Sequence, residues 1–408
     1  MAKNAAVDVC IVGGGPAGMV AGLLLAKLGL RTLVLEQHRD FERQYRGEVL
    51  MPRFTQVMRQ IGLFGALESS PHLKLRRLEG FFGDRKILQI RLSEICADVP
   101  FAIWMPQPVL LNALWDQAKK LPSFDLWFNA SAKGLVRDGG KSAGVLVQKE
   151  GREIEVRAKV TIGADGRFSA IRHLGNFHLE FDRHDFDLLW FTLPKPPGYD
   201  DQVRFFLSGA GNYLILPKYP ASIQCGLVLA KDAFAQFHRD GIDSLRQVLL
   251  KTHPLIRPFA VQLQDFSPFN LLQARIERVD RWAQDGLLLI GDAAHTCSPA
   301  GAIGVSIAVE TAVVAAEVIS GCFKSGDFSA SALGRVQELR EQEVLEVHRL
   351  QGAISRFLMV RPSGFRGLFL FAGFVLASKL GLVGRIQRKL LARKEPLPVG
   401  NVLNFVTS

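Results

Sequence analysis

Three short motifs that contain glycine or aspartate, far apart in the chain, have the residue types that hold nucleotides. The first, Gly13-Gly14-Gly15-Pro16-Ala17-Gly18, fits the pattern G-x-G-x-x-G. In such a turn Gly13 allows a tight bend, Gly15 lets backbone N–H groups approach a pyrophosphate, and Gly18 lets the next helix pack closely. A helix that begins at Pro16 and Ala17 also directs its partial positive charge at the phosphates. The motif therefore predicts a dinucleotide site.

Apolar runs precede and follow this turn. Residues 7–12 have the composition of a buried parallel strand, residues 17–28 continue at helical spacing, and residues 31–36 form a second strand. Strand, turn, helix and strand make one βαβ unit. Glu36 ends the second strand eighteen residues after Gly18, where an acidic side chain accepts hydrogen bonds from an adenosine ribose.

The other two motifs each place an aspartate after an apolar strand. The second motif is Gly163-Ala164-Asp165-Gly166-Arg167-Phe168-Ser169-Ala170-Ile171-Arg172, after a strand over residues 159–162. The third is Gly291-Asp292-Ala293-Ala294-His295, after a strand over residues 287–290. A carboxylate at the carboxyl end of a strand can accept hydrogen bonds from ligand hydroxyl groups.

With these three motifs in this order, from about Ala6 to Ala312, the chain resembles the FAD-dependent aromatic hydroxylases of the p-hydroxybenzoate hydroxylase type, the group A flavoprotein monooxygenases. The resemblance implies that Gly291 and Asp292 contact FAD, the aspartate through ribityl and pyrophosphate oxygens. It also implies that Asp165 holds a loop which ties the FAD site to the use of pyridine nucleotide. NADH or NADPH would be a transient electron donor, and oxygen would reach an aromatic substrate through a flavin 4a-hydroperoxide.

The segment after the third motif departs from the family pattern Pro-x-x-Gly-Gln-Gly-x-Asn-x-Ala. Here the matching positions are Pro299, Ala302, Ile303, Gly304, Val305, Ser306 and Ala308. We expect Pro299, Ile303 and Gly304 to face the flavin, with Ile303 as an apolar wall on the substrate side. Backbone N–H groups at Gly304, Val305 and Ser306 still stabilise negative charge on reduced flavin, because helix geometry supplies them.

Two further positions match FAD contacts of the family. Arg46, in the segment Arg46-Gly47-Glu48-Val49-Leu50-Met51-Pro52, is expected to contact the ribose or pyrophosphate. Gln107 stands where many relatives carry an arginine, and an amide can still hydrogen-bond a ribityl or phosphate oxygen without charge assistance.

The wider pattern predicts an α/β protein with a Rossmann-like FAD-binding domain, an interleaved antiparallel-sheet substrate domain and a helical C-terminal region. Residues 182–231 are rich in aromatic and β-branched side chains and are interrupted by proline and glycine, as in an antiparallel sheet. We assign residues 1–75, 100–180 and 280–325 to the FAD domain and 76–99 and 181–279 to the substrate domain. Residues 326–408 form the helical region. The candidate substrate-lining residues are Trp190, Phe205, Tyr213, Leu216 and Pro217.

Composition and charge exclude several other classes of protein. The chain is 48% hydrophobic over 408 residues, which allows a large core and excludes disorder. Five scattered cysteines without metal-ligand spacing favour a reducing cytoplasm and predict no metal site. The N-terminus lacks the pattern of a secretory signal.

The net charge of +11 is concentrated in the C-terminal tail. Residues 356–408 carry eight of the eleven excess positive charges, beside the apolar run 368–377, which is too short to span a bilayer. This distribution argues against a nucleic-acid footprint. Two interpretations stay open: peripheral binding to the inner face of the cytoplasmic membrane, or a solvated basic helix packed on its own protein.

Three alternatives to hydroxylation share the predicted fold. The segment Tyr-Leu-Ile-Leu-Pro-Lys at residues 213–218 loosely resembles a stretch of geranylgeranyl-reductase-like flavoproteins, which saturate isoprenoid double bonds. Flavin halogenases are also similar, but their tryptophan pair is missing, since the five tryptophans here are far apart. The third alternative is a flavin-binding scaffold without turnover. Oxygen dependence distinguishes the hydroxylase from the reductase.

Overall fold

Two eight-stranded sheets organise the computed structural model, which describes residues 5–42, 48–209, 211–358, 373, 382–400 and 402. In chain order the strands are β1 (Ala5–Val12), β2 (Thr32–Leu35), β3 (Val49–Leu50), β4 (Leu73–Leu75), β5 (Arg77–Phe82), β6 (Arg85–Arg91), β7 (Ala102–Trp104), β8 (Phe124–Trp127), β9 (Ala130–Asp138), β10 (Lys141–Lys149), β11 (Arg152–Gly163), β12 (Leu179–Pro194), β13 (Val203–Leu207), β14 (Tyr213–Lys218), β15 (Ser222–Leu229), β16 (Asn270–Val279), β17 (Ala283–Gln284), β18 (Leu287–Leu289) and β19 (His295–Thr296). The predicted α/β class is confirmed.

Helices cover both sheets. They are α1 (Pro16–Lys27), α2 (Pro52–Gln60), α3 (Phe64–Glu68), α4 (Leu92–Ile95), α5 (Gln107–Ala118), α6 (Ala170–Leu174), α7 (Ala233–Asp240), α8 (Ile242–Leu250), α9 (Arg257–Gln262), α10 (Gly304–Ser325), α11 (Ala330–Leu358) and α12 (Leu382–Leu391), with a 3-10 turn at Gly291–Ala293. One described helix, α10, is long and apolar enough to cross a bilayer, but 72% of its most apolar window is buried inside the protein. It is a core helix here.

Parallel pairing aligns the ends of four strands in the first sheet, whose central order is β17-β18-β11-β1-β2-β8. The register pairs Val12 with both Leu35 and Gly163, and it pairs Gly163 with Leu289. Strands β1, β2, β11 and β18 therefore end together, and we call this line the carboxyl edge. Because each of the three sequence motifs follows one of these strands, all three turns open at one place, as in other doubly wound sheets.

The second sheet has the order β19-β16-β12-β15-β14-β13-β5-β6 and is antiparallel except where β13 runs parallel to β5. It combines strands from residues 77–91 with strands from residues 179–279, and β19 joins its edge from within the segment assigned to the FAD domain. The exact domain boundaries stay a prediction. Helices α7, α8 and α9 follow the expected antiparallel sheet of residues 182–231 and lie within the segment 181–279 assigned to the substrate domain.

Alternation along these strands gives the second sheet two different faces. The inner face packs on the core shared with the first sheet and carries Trp190, Phe205, Leu214 and Leu216. The outer face packs beneath α7, α8 and α9 and carries Phe191, Phe206, Tyr213 and Ile223. Trp190, Gly226 and Leu214 are paired in one row across the inner face. A Cβ on Gly226 would lie 2.7 Å from the Trp190 ring, so the indole covers this glycine.

A buried charge cluster joins α2, α10, α11 and the C-terminal segment. Glu310 is fully buried and accepts hydrogen bonds from Arg53, from Arg340 at 2.7 Å and from Arg393 at 2.7 Å. Glu343 pairs with the same three arginines. Burial alone would raise the pKa of both carboxyl groups, but the guanidinium groups outweigh it and lower the pKa of Glu343 to about 2.

We predict that Glu310→Gln destabilises the fold by about 3–5 kcal/mol, because it leaves buried guanidinium groups without their main counter-charge. Urea unfolding followed by circular dichroism measures the loss. Glu338→Gln, at an exposed position of α11, is the matched control and should change stability by less than about 0.5 kcal/mol. Equal unfolding midpoints for the two variants would contradict the role given to the cluster.

The cluster also predicts the pH dependence of stability. Both folded pKa values lie below that of an unfolded glutamate, so the stabilisation is present above about pH 4.3 and decreases as pH falls toward about 2. Urea titrations across this range should show a smaller acid-induced loss in Glu310→Gln than in the unmodified protein. The same acid-induced loss in both would mean that other groups control it.

Candidate active site

The glycine turn after β1 shows which glycines serve packing and which leaves room for a ligand. Gly13 has a φ of +110°, and a Cβ there would lie 2.4 Å from the Ala164 carbonyl oxygen. A Cβ on Gly18 would lie 1.9 Å from the Gly13 carbonyl oxygen. A Cβ on Gly15 would meet nothing within 4 Å. Gly13 and Gly18 are thus required by the fold, whereas Gly15 keeps open space beside the backbone.

Glu36 holds this turn from the neighbouring strand end. Its side chain is 3% exposed and accepts a hydrogen bond from the Gly14 N–H at 3.1 Å. The other carboxylate oxygen contacts His38, through the backbone N–H at 3.0 Å and Nδ1 at 2.6 Å. The ribose contact expected of Glu36 stays a prediction, and the structure adds a second task, the fixing of the glycine turn.

Asp165 organises the second motif by hydrogen bonding. Its carboxylate accepts from the Ser169 hydroxyl at 2.5 Å and from the Ile171 N–H at 3.1 Å. Burial raises the pKa of Asp165, while these two donors act in the opposite direction. Ser169 in turn caps α6 by accepting from the Arg172 N–H at 2.9 Å. This is the loop-holding arrangement that the resemblance implies, and the link to pyridine nucleotide stays a prediction.

Two arginines of the second motif, to which the sequence gave no role, tie it to the third motif. The buried Arg172 guanidinium donates to the carbonyl oxygens of Ala293 at 3.3 Å and Arg167 at 2.6 Å. Arg167 donates to the Asp292 carboxylate at 3.4 Å and to the Gln273 carbonyl oxygen at 3.2 Å. These contacts fix Asp292 relative to both sheets. The contacts with Gln273, Asp292 and Ala293 leave no local signal in the sequence, because these partners lie more than a hundred residues further along the chain.

Asp292 lies at the carboxyl edge with its side chain 32% exposed. Burial raises the pKa of Asp292, and the Arg167 guanidinium opposes that shift. The neighbouring Gly291, with a φ of +58°, sits between the first turns of two helices. A Cβ there would lie 3.1 Å from that of Ala17 in α1 and 3.4 Å from that of Ala308 in α10. The N-terminal turns of α1 and α10 therefore meet beside Asp292.

The turn before α10 is fastened by α11. Gln351 is fully buried, accepts from the Ser298 N–H at 3.1 Å, and donates to the carbonyl oxygens of Ser298 and Ala300 at 2.7 and 2.9 Å. Ala302 has a φ of +53°, in the left-handed region that favours glycine, which is the residue the family pattern has there. The sequence did not identify Gln351, which lies far along the chain.

The structure corrects one expectation for this turn. Ile303 is fully buried in the main core, so its side chain lines no open surface, whereas Pro299, Gly304 and Val305 are half-buried. Ser306 is also buried, and its hydroxyl finds no hydrogen-bond partner among the described residues. The flavin contacts expected of these residues stay predictions. The role of Ile303 as an apolar wall is wrong, because its side chain is packed inside the core.

The five candidate substrate residues divide between the two faces of the second sheet. Trp190, Phe205 and Leu216 belong to the inner face. Tyr213 belongs to the outer face, where its ring stacks on Phe206 at a centroid distance of 4.7 Å. Pro217 is paired with Ile223, an outer-face residue, and so points the same way. The assignment of Tyr213 and Pro217 to the substrate is therefore wrong, since helices α7 to α9 cover their side.

Of the two remaining sequence-predicted FAD contacts, the structure describes one, at the start of α5. Gln107 is the first residue of α5 and is half-buried. Its contact with FAD stays a prediction. Arg46 lies outside the described residues.

FAD, the dinucleotide implied by the resemblance, fits the chemistry of this edge. Open space lies beside Gly15 for a pyrophosphate, and the first N–H groups of α1 and α10, which have no intrahelical acceptors, lie next to it. Asp292 supplies a partly exposed carboxylate that can accept from ribityl hydroxyls. When bound here, FAD would supply electron transfer and oxygen chemistry, which side chains of this composition lack.

Comparison with known proteins agrees with this geometry. The family described as FAD binding domain matches residues 6–330. The chain is 31% identical over 365 residues to 6-methylpretetramide 4-monooxygenase of Streptomyces rimosus. These aligned residues cover 88% of this chain and 86% of the relative. It is 25% identical over 345 residues to digeranylgeranylglycerophospholipid reductase of Methanocella arvoryzae. This match covers 82% of this chain and 83% of the reductase. The crystal structure of p-nitrophenol 4-monooxygenase PnpA from Pseudomonas putida superposes with a TM-score of 0.81 at 20% identity. The superposition covers 96% of this chain and 100% of the PnpA chain.

The geometry of Gly15 generates a prediction about FAD affinity. Its extended backbone, with φ −74° and ψ −179°, accepts any residue, so Gly15→Ala should fold normally. The added methyl group would occupy the space beside the backbone and weaken FAD binding at least about tenfold, or 1.4 kcal/mol. Quenching of FAD fluorescence during titration of the apoprotein measures this affinity.

Gly321→Ala is the matched control, because Gly321 is an exposed position of α10 where a Cβ also meets nothing within 4 Å. It should leave FAD affinity unchanged. If Gly15→Ala bound FAD as tightly as Gly321→Ala, the pyrophosphate would have to lie elsewhere.

Proposed function

Since this chain belongs to the FAD binding domain family and, within it, to the FAD-dependent monooxygenases, we propose that it uses NADH or NADPH and O₂ to hydroxylate a lipophilic aromatic molecule. The substrate class is a phenol, quinol or quinolone-like compound. One observation carries the proposal: the inner face of the second sheet is apolar and aromatic, and it faces the domain that holds the FAD motifs. Pockets for small aromatic ligands have this composition, with few polar groups to orient the ligand.

The chain's own residues have three tasks in this reaction. The N–H groups at the start of α10 stabilise negative charge on the reduced cofactor, since they require no side chain. Phe205 and Leu214, the half-buried side chains of the inner face, exclude water and orient the ring. The nicotinamide nucleotide visits transiently, because the sequence contains no second G-x-G-x-x-G motif at a strand end.

The names of two relatives support this reaction class. The most similar monooxygenase reported above acts on 6-methylpretetramide, and PnpA acts on p-nitrophenol. The reductase relative supports the second candidate, saturation of an isoprenoid double bond. Of the segment 213–218 that favours it in sequence, however, Tyr213 points to the outer face. Hydroxylation is therefore the better supported function.

The decisive experiment separates reduction from oxygen chemistry. The FAD-loaded protein is mixed with NADH or NADPH without oxygen, in the presence of phenols and quinolones, and oxygen is then admitted. We expect hydroxylated product in proportion to oxygen and reductant consumed. Product formed without oxygen would identify a reductase, and absence of nicotinamide oxidation with every compound would support a scaffold.

Variants on the two faces of the second sheet refine this test. Phe205→Ala should raise the KM for the aromatic substrate, since truncating a buried aromatic contact costs roughly 1 kcal/mol or more. Tyr213→Phe, on the outer face, is the matched control and should leave KM unchanged. If Tyr213→Phe raised KM more than Phe205→Ala, the substrate would bind on the outer face and not on the inner face.

We also propose that this protein is cytoplasmic and binds the inner face of the cytoplasmic membrane peripherally. Helix α12 buries Leu390 and Leu391 and exposes Arg385, Ile386 and Arg388. The packed-helix interpretation therefore applies to its apolar side, while its exposed side is basic. The apolar run 368–377 lies outside the described residues apart from Gly373. A lipophilic substrate would be available at this surface.

Charge reversal tests membrane binding without uncovering the buried leucines. Arg385→Glu with Arg388→Glu should weaken sedimentation with vesicles containing anionic lipid by roughly thirtyfold, at about 1 kcal/mol per basic residue. Lys133→Glu with Arg152→Glu changes the net charge equally on exposed strand positions and should have little effect. Equal loss in both double variants would indicate a general charge effect and no specific membrane face.

A further inference from the structure

A cavity of about 500 Å³ opens at the end of the first sheet that lies opposite the carboxyl edge. Its lining includes Ala6 and Val7 at the start of β1, Gly286 just before β18, and the loop 326–329 between α10 and α11. Helix α10 has 22 residues, so about 33 Å separate this loop from the first turn of α10 beside Gly291. This space, which we call the amino-end cavity, is therefore distinct from the candidate FAD and substrate sites.

The amino-end cavity exists because β11 changes partners along one side. Arg157 is the last residue of β11 that pairs with β10, and Thr161 is the first that pairs with β18. Residues 158–160 have no partner on that side among the described strands. Gly286 and Ser142 meet at this gap, since Gly286 has a φ of +72° and a Cβ there would lie 2.2 Å from the Ser142 carbonyl oxygen. Close-packed backbone thus forms one wall of the cavity.

Three basic side chains line the amino-end cavity. Lys141 begins β10, while Arg157 and Lys159 lie two residues apart on β11 and therefore on one face of that strand. The Lys159 Nζ lies 5.3 Å from the centre of the Phe323 ring. Arg157 pairs with Glu155 at 2.7 Å, but neither lysine forms an ion pair with another residue in the described part of the chain. Both ammonium groups are therefore available to an anion.

Two carboxylates also line the amino-end cavity, and one of them already has a structural task. Asp327 accepts a hydrogen bond from the Ser329 N–H at 2.9 Å, just before α11 begins. Asp138 is exposed at the end of β9. Three basic groups against two carboxylates leave an excess positive charge in the lining, which favours an anionic ligand over a cationic one.

An aromatic ring and a buried hydroxyl group complete the lining. Phe328 is half-buried, and its ring meets the Phe323 ring edge to face at a centroid distance of 4.9 Å. Ser142 is only 6% exposed, and its hydroxyl has no hydrogen-bond partner among the described residues. A buried hydroxyl without a partner is costly, so Ser142 favours a ligand that brings an oxygen atom next to it.

We propose that the amino-end cavity is a second ligand site, which binds a small aromatic anion. A carboxylate, sulfonate or phosphate group of the ligand accepts hydrogen bonds from Lys141, Lys159 and the Ser142 hydroxyl. The ring of the ligand packs against Phe328. Binding is noncovalent and breaks no bond. It requires neither FAD nor turnover, so the site stands independently of the proposed hydroxylation.

A binding experiment with the FAD-loaded protein tests this site. The probe is anilinonaphthalene sulfonate, an aromatic sulfonate, and equilibrium dialysis counts the probe molecules bound per chain. Lys141→Glu with Lys159→Glu should weaken one bound equivalent at least about tenfold, because two attractions become two repulsions. Lys133→Glu with Arg152→Glu is the matched control, since it changes the net charge equally on exposed strand positions outside the lining. It should leave the affinity for the probe unchanged.

Two milder variants test the polar and the aromatic part of the site separately. Ser142→Ala should weaken the probe several-fold and leave the unfolding midpoint unchanged, because the hydroxyl has no partner to lose among the described residues. Phe328→Leu should weaken the probe while leaving the binding of inorganic phosphate, measured by its competition with the probe, unaffected. This pair of results would assign the anionic group and the ring of the ligand to their respective walls.

The opposite results are equally definite. Equal probe affinity in the lysine double variant and in the unmodified protein, or no saturable binding at all, would overturn the proposal. Inorganic phosphate that displaced the probe as effectively as aromatic carboxylates do would overturn the aromatic class of ligand. A bound equivalent that appeared only after removal of FAD would lie at the carboxyl edge and would also contradict a separate site. None of these results bears on hydroxylation, which the oxygen experiment tests.

Discussion

Parallel pairing of β1, β11 and β18 is the constraint from which the candidate site follows. Val12, Gly163 and Leu289 are neighbours in register, so the turns that follow them must share one edge of the sheet. The close approach of Gly13 to Ala164 allows no side chain between the first two turns. Arg172 then joins the second turn to the third through the Ala293 carbonyl oxygen. A register shift of one of these strands would move the motif that follows it away from the other two motifs.

The second sheet contributes through the two-residue period of its strands. The same strands that present Trp190 and Leu216 to the first domain present Tyr213 to helices α7 to α9. Shape and polarity therefore differ between the two faces, and the inner face is the one that packs toward the domain with the carboxyl edge.

The C-terminal segment is part of the same assembly. Gln351 of α11 fastens the turn before α10, and the cluster around Glu310 fixes α2, α10 and α11 together with Arg393. Desolvated charges of this kind are costly unless each is paired, so the cluster favours one relative placement of these helices. Helix α2 directly follows β3, and the N-terminal turn of α10 lies beside Gly291 at the carboxyl edge. The buried charge cluster thereby stabilises the positions of helices α2 and α10, which lie next to the candidate site.

The sequence by itself determined the features that depend on local backbone chemistry. Gly13, Gly15 and Gly18 imply a tight turn and a close backbone approach, and Asp165 and Asp292 follow apolar runs that can only be buried strands. These patterns predicted the fold class and the FAD family correctly, and the position of the dinucleotide site stays a prediction. They succeed because a turn of this kind requires particular residues at fixed short spacing.

Tertiary structure alone decided which side chains meet across long distances in the chain. The sequence placed Tyr213 and Pro217 with the substrate because aromatic residues in a strand carry no mark of the face they occupy until pairing partners and covering helices are known. It predicted that Ile303 faces the flavin, although the Ile303 side chain is fully buried in the core. Arg172 and Gln351 gave no signal, because Arg172 contacts a residue more than a hundred positions away and Gln351 contacts residues more than fifty positions away. Such contacts depend on how the sheets and helices pack and not on local spacing.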